Sequence, residues 1–221
     1  MLGNQSVASR PVESIISTNK VIRSTYQLLS MTLAFSAVMA YISMSMQASQ
    51  GMGLVATIVG IVMLWFVLPR TANSASGIPV IFAITGLLGF GIGPMVSHYL
   101  AVNPSIVMTA LGGTGVIFLG LSGYALTTRK DFSFMGGFLM VGMLVIVGAS
   151  LLNIFLGVPA LFLTVNAAVV MIMSGFILYE TSSIIHGGET NYIMATASLF
   201  LSILNLFSAL LHLLGALGGD D

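Results

Sequence analysis

Few side chains in this sequence are suited to chemistry, because it has three histidines, six acidic residues and no cysteine. Glu180 is the only acidic residue within a long apolar stretch, and His186 and Glu189 follow it in a short polar segment. The glycines at 187 and 188 break any helix that would place the three side chains on one face, and calcium needs several oxygen ligands. We therefore expect no metal site here. The chemistry available to Glu180 is the gain and loss of a proton.

Ser122 and His212 form a second candidate pair, within segments that look like the serine and histidine motifs of rhomboid intramembrane proteases. Ser122 lies about five residues from one end of its apolar stretch, and His212 about nineteen from the corresponding end of its own, so their depths differ by about 20 Å. A catalytic base must come within about 3 Å of its nucleophile. We therefore predict no catalytic residue and no enzymatic activity.

The composition indicates a membrane protein. Of 221 residues, 57% are hydrophobic and 5% are charged, whereas soluble domains have about 25% charged residues. Six basic residues balance six acidic ones, so there is no basic surplus for binding nucleic acid. We expect no cofactor.

Seven apolar stretches have the length of a membrane-spanning helix, which is about 20 residues. They predict an all-α membrane protein, with a polar tail at residues 1–24, a transmembrane domain at 25–217 and a short outer tail at 218–221. The stretches are 25–47, 51–69, 77–101, 105–127, 133–156, 159–182 and 193–217.

All six basic residues fall on one side of the predicted membrane. Since Lys and Arg are retained in the cytoplasm during insertion, we predict a cytoplasmic N-terminus, an external C-terminus and a cytoplasmic loop containing His186 and Glu189. The basic residues are Arg10, Lys20, Arg23, Arg70, Arg129 and Lys130.

The seventh stretch has its polar residues within an arc of about 120° on a helix. Because lipid cannot satisfy such groups, the arc should face other helices or a wet cavity, which predicts a central seventh helix. Its members are Ser198, Ser202, Asn205, Ser208 and His212.

Glycines in the third and fourth stretches indicate close helix packing. They are Gly86, Gly89, Gly91 and Gly93, then Gly112, Gly113, Gly115, Gly120 and Gly123.

Glu180 should have a partner, because a charge near the middle of a spanning helix costs about 2.5 to 3.5 kcal/mol. Arg70 ends the second stretch on the same predicted side as Glu180. An ion pair between them is therefore geometrically allowed, and it would make a pH-dependent gate. The alternative is a glutamate that reaches the membrane surface without a role.

Several segments resemble the Bax inhibitor-1 family of seven-helix membrane proteins, and more narrowly its bacterial YccA branch. The resemblance covers nearly the whole chain and implies six helices around a central seventh. The segments are residues 94–99, 127–134, 178–181, 186–193, 198–202 and 205–207.

The resemblance implies two functions. Family members with calcium-leak activity carry an acid on the sixth helix, a second acid on the seventh and an arginine ending the second. The matching positions here are Glu180, Ser202 and Arg70, and the missing second acid argues against a pH-gated calcium leak. The YccA branch instead implies a regulator of the membrane-bound AAA protease FtsH, as its partner and slow substrate.

We therefore expect a non-enzymatic inner-membrane protein that binds and restrains FtsH. A flexible cytoplasmic tail would suit the grip of an ATP-driven protease, although a leader that merely orients the first helix is the alternative. A cation or proton leak beside the seventh helix, with Glu180 and Arg70 as its gate, is the second candidate function.

Overall fold

The computed structural model describes residues 9–218, with side chains from residue 18 onward. All the regular elements in that range are helices, and seven are long and apolar enough to cross a membrane. This confirms the predicted all-α, seven-helix fold. The helices are α1 (Ser9–Ser45), α2 (Gln50–Val62), α3 (Leu68–Thr71), α4 (Gly77–Val102), α5 (Pro104–Thr128), α6 (Gly136–Leu156), α7 (Pro159–Ile185) and α8 (Tyr192–Leu217).

The first helix begins earlier than expected. Residues 9–24, which we predicted to be a flexible tail, are helical and continue into the first span. Their only proline, Pro11, lies in the first turn, where a missing N–H costs no hydrogen bond, and no glycine interrupts the segment. The rest of the two predicted tails, residues 1–8 and 219–221, lies outside the described range.

The second span contains a π-helical turn, Met63–Val67, which joins α2 to α3. Pro69 lies two residues after the end of this turn, and a proline inside a helix lacks an N–H and clashes with the carbonyl four residues earlier. The wider turn, in which Leu68 N–H donates to Met63 O, accommodates that proline.

The central helix is α8, as predicted. It packs against α1, α4, α5 and α7, whereas the second span packs mainly on α4, and α6 mainly on α7. The hydrophobic core accordingly follows α8, where Leu199, Leu206 and Leu211 are fully buried.

The glycines of α4 pack closely, as predicted, but those of α5 do not. A Cβ on Gly89 would collide with the backbone of Ser36 on α1, and a Cβ on Gly53 would lie 2.8 Å from Gly91 O. In contrast, a Cβ on Gly112 or Gly120 would meet nothing within 4 Å. The prediction of tight packing was therefore wrong for most of α5, because one side of that helix has no neighbour.

The bundle has two chemically different ends. Arg23, Arg70, Arg129 and Lys130 are exposed at one of them, which we call the basic end. The opposite end contains the α4–α5 connection at Asn103 and the end of α8.

Candidate functional site

A hydrogen-bonded pair joins α7 to α8 in the half of the bundle nearer the basic end. Ser202 Oγ donates to Glu180 Oε1 and Oε2 at distances of 3.2 and 3.1 Å. Ser202 is buried and Glu180 is half-buried. This polar pair lies within two spanning helices, which makes it the candidate functional site.

Helix geometry explains how Glu180 reaches Ser202. Glu180 lies five residues before the end of α7, about 8 Å along the axis, and side chains tilt toward the N-terminus of their helix. Since α7 runs toward the basic end, its glutamate points back into the membrane. Ser202, on the antiparallel α8, tilts the opposite way, so the two side chains converge.

Arg70 does not take part in this pair. Its guanidinium is exposed and donates a hydrogen bond to Phe66 O, within the second span. Among the described residues, no ion pair joins Arg70 to Glu180. The structure therefore does not contain the ion pair that the sequence allowed, because Arg70 satisfies a carbonyl next to the Pro69 distortion while Ser202 satisfies the carboxylate.

A cluster of three hydroxyl groups includes Thr181, the residue that follows Glu180. Thr181 is 3.1 Å from Ser122 Oγ and 3.3 Å from Tyr26 Oη, and Tyr26 and Ser122 are also hydrogen-bonded. The cluster joins α1, α5 and α7. Tyr26 and Thr181 were not among the predicted site residues, since hydroxyls on three distant segments have no sequence spacing that relates them.

The loops at the basic end are tied to the same helices. Ser182 Oγ accepts a hydrogen bond from Phe132 N–H at 2.9 Å and donates to Lys130 O at 3.3 Å, which anchors the α5–α6 loop on α7. His186 Nδ1 lies 2.9 Å from Ser182 O. Hydrogen bonds from Ser133 lower the pKa of Asp131, in the same loop, below its ordinary value.

The α7–α8 loop is held by Asn191. Its side-chain oxygen caps α8 by accepting from Ile193 N–H, and its Nδ2 donates to Ala72 O in the α3–α4 loop at 3.1 Å. Glu189 Oε1 accepts a hydrogen bond from Asn191 N–H at 2.7 Å. Both residues that we assigned to this loop, His186 and Glu189, therefore have local structural partners.

His212 lies in the other half of the bundle. Its Nδ1 is 3.1 Å from Tyr99 Oη on α4, and its ring packs edge-on against Phe162. Tyr99 in turn lies directly against the backbone of Gly215. Ser122 and His212 thus have separate partners, in agreement with the depths that argued against a protease.

The polar arc of α8 is only partly buried. Ser202 and His212 contact other helices, whereas Asn205 and Ser208 bond to carbonyls of α8 itself, and Ser198 is half-buried. Asn205 is exposed, so of the two surroundings that we predicted for the arc, other helices or a wet cavity, packing against another helix does not apply to this residue. Its amide instead donates to Leu201 O at 3.0 Å.

These features define a multi-pass, α-helical membrane protein with a carboxylate–hydroxyl pair beside its central helix. Residues 18–219 match the model of the family described as inhibitor of apoptosis-promoting Bax1. The chain therefore belongs to the Bax inhibitor-1 family.

Relatives along nearly the full length are bacterial. The chain is 49% identical over 208 residues, 94% of each chain, to the Escherichia coli K12 protein named "Modulator of FtsH protease YccA", and equally to an E. coli "Inner membrane protein YccA". It is 45% identical over 212 residues, 95% of each chain, to an "Uncharacterized membrane protein" of Vibrio cholerae. These names and the seven apolar helices identify a multi-pass inner-membrane protein, and none of the names denotes an enzyme.

Proposed function

We propose that this protein binds an FtsH-type membrane protease and restrains it, as a modulator and slow substrate without enzymatic activity. The observation that carries the proposal is the 49% identity to the E. coli modulator over 94% of both chains. Similarity of that extent includes every helix that builds the bundle, rather than one shared segment.

The basic end is proposed to face the cytoplasm. Arg23, Arg70, Arg129 and Lys130 are exposed there, and positively charged loops are retained on the cytoplasmic side. An ATP-driven protease pulls from that side, where ATP is present. The start of α1 and the residues before it are then the segment that such a protease grips.

Co-purification from native membranes tests the binding. The tagged chain, with and without residues 2–20, is extracted gently from cells whose FtsH is proteolytically inactive, and bound proteins are identified by mass spectrometry. An equally abundant multi-pass protein with the same tag is the control. Stoichiometric FtsH that co-purifies with the full-length chain, but not with the shortened chain or the control protein, supports both the binding and the role of the tail. Trace FtsH in equal amounts with all three proteins contradicts the binding.

Protein lifetime tests the role of the N-terminal segment separately. Deletion of residues 2–20 is expected to lengthen the half-life of the chain in cells with active FtsH. An unchanged half-life would contradict the proposal that the protease grips this segment, but it would not contradict the proposed binding.

A second candidate function is a cation or proton leak beside α8. The observation that favours it is Glu180, an ionisable group within a spanning helix that contacts the central helix through Ser202. Such groups often mark ion or proton pathways. Flux into vesicles containing the native chain should exceed that into empty liposomes and change in Glu180→Gln; flux equal to empty liposomes in both forms excludes the leak.

A further inference from the structure

An apolar groove of about 540 Å³ lies between α1 and α5, with α4 and α8 as its floor. Its lining contains no charged residue. Thr114, one of its few polar residues, satisfies its hydroxyl by donating to Ala110 O at 2.7 Å. A ligand that fills this groove must therefore be a hydrocarbon.

The groove opens sideways toward the bilayer. Met108 and Leu111 of α5 line it and are 69% and 52% exposed, while Leu100 of α4 is 37% exposed. Phe200 and Phe207 of α8 lie on its floor and are buried. A molecule that enters from the lipid would thus reach the central helix.

The groove is as long as one leaflet. On α1 it extends from Leu33 to Met44, and on α5 from Val107 to Phe118. Each interval is eleven residues, or about 16 Å along a helix, and one leaflet contributes about 15 Å of hydrocarbon. The Met44 and Val107 ends lie at the opposite end of the bundle from the basic residues.

An aromatic contact closes the groove near mid-membrane. The Tyr26 and Phe118 rings lie 6.2 Å apart, and the Tyr26 hydroxyl is hydrogen-bonded to Ser122 on α5. A partner helix is about 10 Å wide and crosses both leaflets, so it would need a groove that continues past this contact. One acyl chain needs only the open half.

We propose that this groove is a binding site for one acyl chain of a phospholipid from the leaflet at the end opposite the basic residues. Recognition is of the hydrocarbon tail, because the exposed basic residues lie at the other end of the bundle. The bound tail fills the space between α1 and α5 and covers Phe200 and Phe207. This proposal is independent of the proposed protease partner.

Two glycines of α5 provide a matched pair of variants. Gly115 lines the groove and Gly112 does not, and a Cβ at either position meets nothing within 4 Å. Gly115→Leu should therefore fill the groove without disturbing the helix, while Gly112→Leu adds the same side chain outside it. Ala37→Leu, from the α1 wall of the groove, is a second filling variant if Gly115→Leu does not fold.

Native mass spectrometry of the purified protein tests the site. Each form is washed in mild detergent and then exposed to vesicles containing phosphatidylethanolamine and phosphatidylglycerol. We expect one retained phospholipid per native chain and per Gly112→Leu chain, without headgroup preference, and its loss from Gly115→Leu. The proposal is overturned by no retained lipid, by equal retention in both glycine variants, by strong headgroup selection, or by a second copy of the chain in place of lipid.

Discussion

Ser202 Oγ donates to both carboxylate oxygens of Glu180, at 3.2 and 3.1 Å, and so joins the central helix α8 to α7. A carboxylate within a membrane is costly unless it is hydrogen-bonded. The pair thus reduces the cost of placing an acid beside the central helix.

Ser202→Ala should destabilise the protein, because it removes the donor that both carboxylate oxygens use. Hydrogen bonds between membrane helices contribute about 0.6 kcal/mol on average, and bonds to charged groups contribute more, so we expect a loss of about 1 kcal/mol. Thermal unfolding in detergent measures it. The control is Ser208→Ala, whose hydroxyl bonds only within α8; equal midpoints for the two variants would contradict the role of the pair.

Ser202→Asp should make stability depend on pH. Two carboxylates at hydrogen-bonding distance repel each other when both are ionised, but they can share one proton. We expect the unfolding midpoint to fall as pH rises and the second group loses its proton. Ser202→Asn, which is similar in size and uncharged, should show no such added dependence, and parallel pH profiles for the two variants would count against the geometry.

Tyr26→Phe should weaken the contact between α1 and α5, because it removes the hydroxyl shared with Ser122 and Thr181. The expected loss is about 1 kcal/mol, for one or two hydrogen bonds within the membrane. Tyr41→Phe on the same helix is the control, since Tyr41 is 67% exposed. Unfolding midpoints in detergent compare the two, and a larger effect at Tyr41 would be incompatible with the cluster's role.

Glycine-to-alanine changes should have different effects on stability in α4, where the glycines pack closely, and in α5, where most do not. Gly89→Ala places a Cβ against the Ser36 backbone, whereas Gly112→Ala meets open space. We expect Gly89→Ala to reduce the yield of folded protein, and Gly112→Ala to be neutral or to stabilise by up to about 1 kcal/mol, since alanine favours helix over glycine. Yield of monodisperse protein and unfolding midpoint are the measurements, and tolerance of both changes would contradict the close approach of α1 and α4.

Membrane orientation can be measured with single cysteines, because the native chain has none. A membrane-impermeant maleimide added to intact spheroplasts should label Val158→Cys, in the α6–α7 connection, but not Lys130→Cys at the basic end. Labelling of both after lysis is the control for accessibility. The reverse pattern would place the basic end outside the cell.

Periodic and compositional patterns predict most of this fold. Runs of apolar residues predict the seven spanning helices, and the polar arc that includes Ser202 indicates that α8 is the central helix. Such patterns do not show which helices are neighbours on a given side, so they mispredicted the α5 glycines and could not show which members of the polar arc, such as Asn205, are exposed. They also placed Arg70 close to Glu180 by depth alone, although depth does not determine whether two side chains on different helices meet.

Reconstitution with FtsH tests the proposed restraint of the protease most directly. Proteoliposomes containing FtsH, ATP and a membrane-protein substrate are prepared with this chain or with an equal amount of an unrelated multi-pass protein, and loss of the substrate is followed over time. The proposed function predicts slower loss of the substrate with this chain, while the chain itself is degraded more slowly than the substrate. Equal rates of substrate loss with this chain and with the unrelated protein would contradict it.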